Sequence, residues 1–174
     1  MQHPLASFTH CPRCGADHFQ AHDERSKHCE NCGFTYYHNA SASTVAVILN
    51  ANHELLVGRR AFPPAADTLD LPGGFVNPGE TIEAGLLREI KEETGCDAEI
   101  VRYLFSYPNT YSFSDFNVHT ADSFFLCRLK KNAHLQAADD ASDLMWMSFD
   151  ELHPEDFGLT SIRKGVERIL EEGL

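Results

Sequence analysis

Apolar residues recur along the chain in two rhythms. In residues 44–50 (TVAVILN) and 53–60 (HELLVGRR) they run almost without interruption over the length of a strand, with residues 50–52 between them as a turn. Residues 99–106, 122–130 and 144–148 read as further strands. In residues 81–94 and 161–172 the apolar positions instead return every three or four residues, which predicts helices. Ile82, Leu86, Leu87 and Ile90 form one arc of the first helix, expected to face a sheet, and Ile162, Val166, Ile169 and Leu170 form one of the second. The order β-β-loop-α-β-β-β-α predicts an α/β (α+β) fold with helices packed on a mixed sheet. The stretch HNASAS, residues 38–43, reads as a linker or entry loop, dividing the chain into residues 1–37 and 38–174.

A chain of 174 residues, 43% of them apolar, is long enough to bury a core as one domain with a small appendage. The longest apolar runs, 45–49 and 124–127, are strand-length, and the opening MQHPLASFTH has no apolar signal core. A cytoplasmic protein with no membrane partner is expected. A formal net charge of -12 opposes non-specific attraction to nucleic acid or an anionic membrane. An acidic protein that handles anions needs cations to mediate the contact.

Four of the six cysteines fall in two knuckles, Cys11-Pro-Arg-Cys14 and Cys29-Glu-Asn-Cys32, each followed by a glycine, Gly15 and Gly33. This is the tetrathiolate spacing of a zinc ribbon, and the glycines let each knuckle turn so that backbone amides face the sulfurs. Two disulfides or a redox pair are the alternative, which a secretory signal or a neighbouring βαβ pattern would favour; neither is present. His10, His18, His22 and His28 could replace a thiolate, but four cysteines already complete a tetrahedral shell. Cys96 and Cys127 read as small buried hydrophobes.

In the first helical segment Thr81 is placed as N-cap and Gly95 as terminator, with Glu80 and Glu83 near the positive end of the helix dipole. Glu89, Glu92 and Glu93 share a neighbouring arc, and Gly85, one turn earlier, is expected to leave that arc a bare floor for another group. Like charges at such spacing destabilise an isolated helix, and carboxylate oxygens suit a hard cation such as Mg²⁺ or Mn²⁺. The alternative is an ordinary solvated face.

Gly74, Glu80, Arg88-Glu89-Ile90, Glu92-Glu93 and Gly95-Cys96 resemble the complete Nudix box, G-x5-E-x7-R-E-U-x-E-E-x-G-U with U apolar. Every fixed position is filled; Cys96 stands where a bulky aliphatic is commoner. The resemblance covers residues 44–174 and implies a Nudix α/β/α sandwich behind an N-terminal zinc ribbon. It further implies hydrolysis of a nucleoside diphosphate linked to another moiety, by water attack on phosphorus with bound Mg²⁺ or Mn²⁺. By that resemblance Glu89 and Glu93 are the main metal ligands, with Glu92 a further ligand or a water-mediated contact. The carbonyl of Gly73 contributes, Arg88 orients the glutamates, and Glu92 or Glu89 serves as general base. A distal acid is common in the family; Asp140 and Asp143 are the candidates, with a polar surface loop as the alternative.

The ribbon placed before the box is similar to the architecture of the NADH pyrophosphatases. Their S-Q-P-W-P-F-P-x-S motif is replaced here by FSYPNTYSF, residues 105–113, which keeps Ser106 and Pro108 but lacks the Gln and Trp. Tyr107, Tyr111 and Phe113 are candidates for stacking on a base, against the alternative that they are core. The expected substrate is therefore a small nucleotide of the ADP-ribose or dinucleotide type, yielding AMP. NADH/NAD or a nucleoside triphosphate is the alternative within the class, and a non-catalytic nucleotide sensor is the alternative outside it. Residues 1–37 carry as cations only Arg13, Arg25 and Lys27 beside histidines, so a structural or homodimer-stabilising ribbon is expected rather than a nucleic-acid contact.

Overall fold

The computed structural model describes residues 3–113, 116–130 and 141–174. The chain divides into two compact units, one of Met1–Ala40 with Ser112–Val118 and one of Ser41–Tyr111 with His119–Leu174.

In the first unit three short strands, β1 (Phe19–Asp23), β2 (Ser26–Cys29) and β3 (Thr35–Tyr37), form an antiparallel meander. Its small core is Cys11, Phe19 and Cys29, with Cys32 and Phe34 partly buried against them. Phe116 adds edge-on contacts to Phe8 at 5.5 Å and to His38 at 5.9 Å between ring centroids.

The second unit holds β4 (Ser41–Ile48), β5 (Leu55–Arg60), β6 (Leu69–Asp70), α1 (Ile82–Thr94), β7 (Ala98–Phe113), β8 (Phe116–Leu129), β9 (Ala141–Met147) and α2 (Thr160–Glu172). Strands β7 and β8 each run across the division between units. One sheet has the order β4-β8-β7, with β4 parallel to β8, and the other the order β6-β5-β9, antiparallel throughout. The parallel pair reads as continuous apolar runs because both its faces are buried. Val45 and Val47 of β4, Val57 of β5 and Phe124 of β8 pack with Ile162, Val166 and Ile169 of α2. Their neighbours Ala46, Ile48, Leu56, Phe125 and Cys127 pack with Leu86 and Ile90 of α1. Period-two alternation thus sends successive side chains to different helices, giving an α/β/α sandwich. Among the described residues no helix is long and apolar enough to cross a membrane.

Three expectations need correction. Residues 41–43 are not linker: they open β4, pairing Ser41, Ala42 and Ser43 with Thr120, Ala121 and Asp122. Strand β7 does not stop at Ser106 but continues through Pro108 to Phe113, which a proline tolerates because β7 is an edge strand. In α1, Leu86 and Ile90 are fully buried, but Ile82 and Leu87 are exposed; Gly85 and Thr94 complete the buried face instead.

Candidate active site and zinc ribbon

The segment after β6, Leu71-Pro72-Gly73-Gly74-Phe75, lies alongside β4 as an improvised strand. Ala46 N donates to Pro72 O at 2.7 Å, Thr44 N to Gly74 O at 2.9 Å and Val76 N to Ala42 O at 3.1 Å. The carbonyls on either side of Gly73 are thereby taken by β4. Gly73 has φ 148°, and a Cβ there would stand 2.0 Å from the Thr44 carbonyl oxygen, so the position admits only glycine. Thr81 caps α1 by accepting from Ala84 N, and Gly95 ends it at φ 71°, as the spacing predicts.

These supports bring the box carboxylates onto the glycine turn. Glu93 Oε2 accepts the Gly73 N–H at 3.0 Å. The Glu89 carboxylate lies against Gly74 so closely that a Cβ would meet its oxygens at 2.7 and 2.8 Å. Arg88 organises the rest with all five of its N–H groups. Nε and Nη2 grip Glu80 Oε1 and Oε2 at 2.8 and 2.9 Å, Nη1 donates to Glu89 Oε1 at 2.8 Å and Glu92 Oε2 at 2.9 Å, and Nη2 also reaches Phe75 O at 3.0 Å. The hydrogen bonds from Arg88 hold the Glu80 carboxyl down to about 2. Burial pushes Glu89 the other way, above the usual carboxylate range, with Arg88 opposing.

The bare floor expected at Gly85 is filled: a Cβ there would meet Val76 Cγ2 at 3.3 Å and Glu80 Oε2 at 3.4 Å. Arg88 is likewise the first compensation for the clustered glutamates, ahead of any metal. It takes one oxygen each of Glu89 and Glu92, and with Glu80 and Glu93 present the carboxylates outnumber this single guanidinium. Hard oxygen donors in excess of cationic charge, packed on a backbone turn hydrogen-bonded to β4, fit Mg²⁺ or Mn²⁺.

Of the remaining candidates, Tyr111 stands with its ring edge-on to Phe75 at 6.2 Å. Tyr107 packs on Phe105 and Phe124 at 5.5 and 6.3 Å, against the core, and Phe113 falls in the other unit, 64% exposed. Asp143 is exposed on β9. Asp140 lies outside the described residues. Phe75, whose carbonyl Arg88 holds, is a residue of this site that the apolar pattern does not mark. Phe75 could have been found as an aromatic inside the box, directly after Gly74.

The knuckles of the ribbon repeat one geometry. Gly15 N donates to Cys11 O and Gly33 N to Cys29 O, both at 2.9 Å, with φ 75° and 72° at the two glycines. All four sulfurs lie within 4.8 Å of one another, with Cys11–Cys32 and Cys14–Cys29 at 3.7 Å. A tetrahedron of sulfurs about 2.3 Å from zinc has edges of about 3.8 Å, which the two 3.7 Å separations match, so the cluster suits the ion. The Ala16 backbone N–H, then the Asn31 amide, draw Cys14 down to about 6, while in Cys32 the Phe34 N–H is outweighed by burial and the neighbouring sulfurs, which push the thiol up to about 12. Cys96 and Cys127 are buried, as small hydrophobes.

The NUDIX domain family matches residues 40–168, and the NADH pyrophosphatase zinc ribbon domain matches residues 6–37. The NAD-capped RNA hydrolase NudC of Haemophilus influenzae (strain PittGG) is 29% identical over 157 residues, 89% of this chain and 57% of that protein. NudC of Pseudomonas aeruginosa (strain LESB58) is 30% identical over 83% of this chain and 49% of that protein. The chain thus spans about half the length of these curated relatives. Among solved structures, a NUDIX hydrolase from Nitrosomonas europaea superposes with TM-score 0.77 at 22% identity, covering 94% of this chain and 91% of that one. An ADP-ribose pyrophosphatase from Streptococcus suis gives 0.55 at 20% identity, covering 78% and 92%. These likenesses show the shared fold. With the box complete, the sandwich in place and the family matched over most of its length, the chain belongs to the Nudix family and carries a zinc ribbon of the NADH pyrophosphatase type.

Proposed function

We propose that this protein is a metal-dependent pyrophosphohydrolase that cleaves a nucleoside diphosphate linked to another moiety, of the ADP-ribose or dinucleotide type, and releases AMP. The observation that carries the reading is the carboxylate cluster gathered by Arg88 on the Gly73–Gly74 turn. Glu89 and Glu93, with Glu92 and the Gly73 carbonyl, would hold Mg²⁺ or Mn²⁺. When bound, such an ion neutralises the diphosphate and acidifies water. Arg88 keeps Glu89 and Glu92 at fixed separation, so the site is organised before substrate arrives. Glu92, the more exposed of that pair at 48% against 16%, is the better placed to take a proton from water entering from solvent, with Glu89 the alternative base.

On the substrate side, Tyr111 beside Phe75 is the ring pair we assign to the base; Tyr107 and Phe113 are secondary candidates. Relatives named as NAD-capped RNA hydrolases favour a second reading in which the diphosphate that is cleaved lies within an NAD-type end of an RNA, so that nucleic acid enters as part of the substrate. The acidic composition favours the small nucleotide. Incubating the protein with ADP-ribose, NADH, nucleoside triphosphates and an NAD-capped oligonucleotide, with Mg²⁺ or Mn²⁺, separates the readings by product. AMP from ADP-ribose at least as fast as from NADH is expected. A preference for triphosphates with pyrophosphate release would overturn it.

A further inference from the structure

Arg60 ends β5, and its side chain is committed to groups from three other places in the chain. Nη1 pairs with the Asp70 carboxylate of β6, Nε donates to Pro64 O at 2.9 Å, and Nη2 donates to the Tyr111 hydroxyl at 2.5 Å. The guanidinium carbon stands 5.7 Å from the Tyr111 ring centroid. Arg60 and Asp70 keep 15% and 18% exposure, a setting in which charge-assisted hydrogen bonds hold their geometry. Asp70 is anchored in turn by the Leu71 N–H at 2.8 Å. The backbone around Arg60 is equally fixed: Arg60 N donates to Thr68 O and Asp67 N to Arg60 O, both at 2.9 Å. Gly158 closes on the same loop, since a Cβ there would come within 2.4 Å of Ala65 and Thr68. A planar fork serving a carboxylate, a carbonyl and a hydroxyl at once is work for arginine that lysine cannot reproduce.

Tyr111 has one neighbour of interest beyond Arg60, the ring of Phe75. Phe75 is 44% exposed, and its carbonyl is the one held by Arg88. Two arginines therefore converge on this pair: Arg88 fixes the Phe75 backbone beside the carboxylates, and Arg60 fixes the ring that Phe75 faces.

We propose that Arg60, oriented by Asp70, is a positioning residue that sets Tyr111 against Phe75 and so fixes an aromatic surface beside the carboxylate cluster for the planar half of a nucleotide substrate. The proposal rests on the functional reading above and deepens it. Arg60 touches no reacting atom, so its loss acts on KM and leaves kcat in place.

The test compares Arg60→Ala, Arg60→Lys, Tyr111→Phe and the double variant Arg60→Ala/Tyr111→Phe, with ADP-ribose as substrate and Mg²⁺ saturating. Arg60→Ala is expected to raise KM about tenfold, the scale of one charge-assisted hydrogen bond, with kcat within about twofold. Arg60→Lys does not restore KM. Tyr111→Phe, which removes only the hydroxyl, reproduces most of the rise, and the double variant is no worse than Arg60→Ala, since both changes cut the same link. An unchanged KM in Arg60→Ala, or additive effects in the double variant, would overturn the proposal. If Arg60→Ala fails to fold, Tyr111→Phe decides alone, and an unchanged KM there overturns it. Ring-labelled tyrosine NMR supplies an arm that needs no turnover: the Tyr111 ring should gain motion in Arg60→Ala, and unchanged ring signals would refute the link. Absence of AMP from the wild-type protein would count against the functional reading, while the ring signals still decide the role of Arg60.

Discussion

Gly74→Ala places one methyl group against the Glu89 carboxylate and changes little else. The backbone at Gly74 is not in the left-handed region, unlike that at Gly73, so alanine is conformationally acceptable there. The new Cβ would lie 2.7 Å from Glu89 Cδ and Oε1, whereas ordinary contact begins at 3.4 Å. The carboxylate must therefore retreat by about 0.7 Å, a shift that a flexible side chain can make and a rigid one cannot. Retreat stretches the 2.8 Å bond to Arg88 and moves an oxygen away from a cation that requires ligands at about 2.0–2.1 Å. Misplacement on this scale costs about 100-fold in rate, or about 2.7 kcal/mol of transition-state stabilisation. Folding stability should change by less than about 1 kcal/mol, because alanine restricts the unfolded chain and offsets part of the contact. AMP release from ADP-ribose across a Mg²⁺ titration, set beside thermal melts of both proteins, measures the two quantities separately. Wild-type activity in Gly74→Ala would refute the placement of Glu89. So would a large fall in melting temperature with activity per folded molecule intact.

Other expected outcomes follow from the same contacts. Glu80 has its carboxyl held down to about 2 by Arg88, so its contribution is present above the unfolded value of about 4.3 and is lost as pH falls through about 2. Glu80→Gln should accordingly be less stable at neutral pH but lose less stability over that acid window, which denaturant titrations at stepped pH will show. The ribbon predicts one zinc per chain by metal analysis; Cys29→Ser should release it and loosen the first unit while the sandwich melts as before. In α2, a Cβ at Gly165 would stand 2.3 Å from the fully buried Phe124 ring, so Gly165→Ala should cost about 1–3 kcal/mol and lower the melting temperature with little effect on KM.

How much of this was legible in the sequence depended on the range of the signal. Local signals carried through: Thr81 and Gly95 bound α1, the cysteine knuckles close into a tetrathiolate set, and the apolar runs of β4 and β8 are buried on both faces. Polar and proline-bearing stretches carry a weak strand signal of their own because their strand character comes from partners. Ser41 to Ser43 are held by pairing with β8, and Pro108 is tolerated only because no further strand needs its missing N–H. The segment from Pro72 to Val76 gains its strand-like form from β4 in the same way. Periodicity also mistook which residues of α1 are covered, since burial follows the neighbours actually present, Val76 over Gly85 rather than sheet over Ile82. The links Arg60–Tyr111 and Ser161–Asp122 join residues 51 and 39 positions apart, and no local pattern announces them.

The most direct test of metal-dependent hydrolysis at the box is turnover of Glu93→Gln at saturating Mg²⁺. The glutamine oxygen can still accept the Gly73 N–H that Glu93 Oε2 now accepts at 3.0 Å, so the turn and the fold should persist while one negative oxygen ligand is lost. The account predicts circular dichroism and melting close to wild type, with AMP release from ADP-ribose reduced by more than about 100-fold, beyond what loss of an outer-shell partner costs. Near-normal release of AMP by a folded Glu93→Gln protein would contradict it.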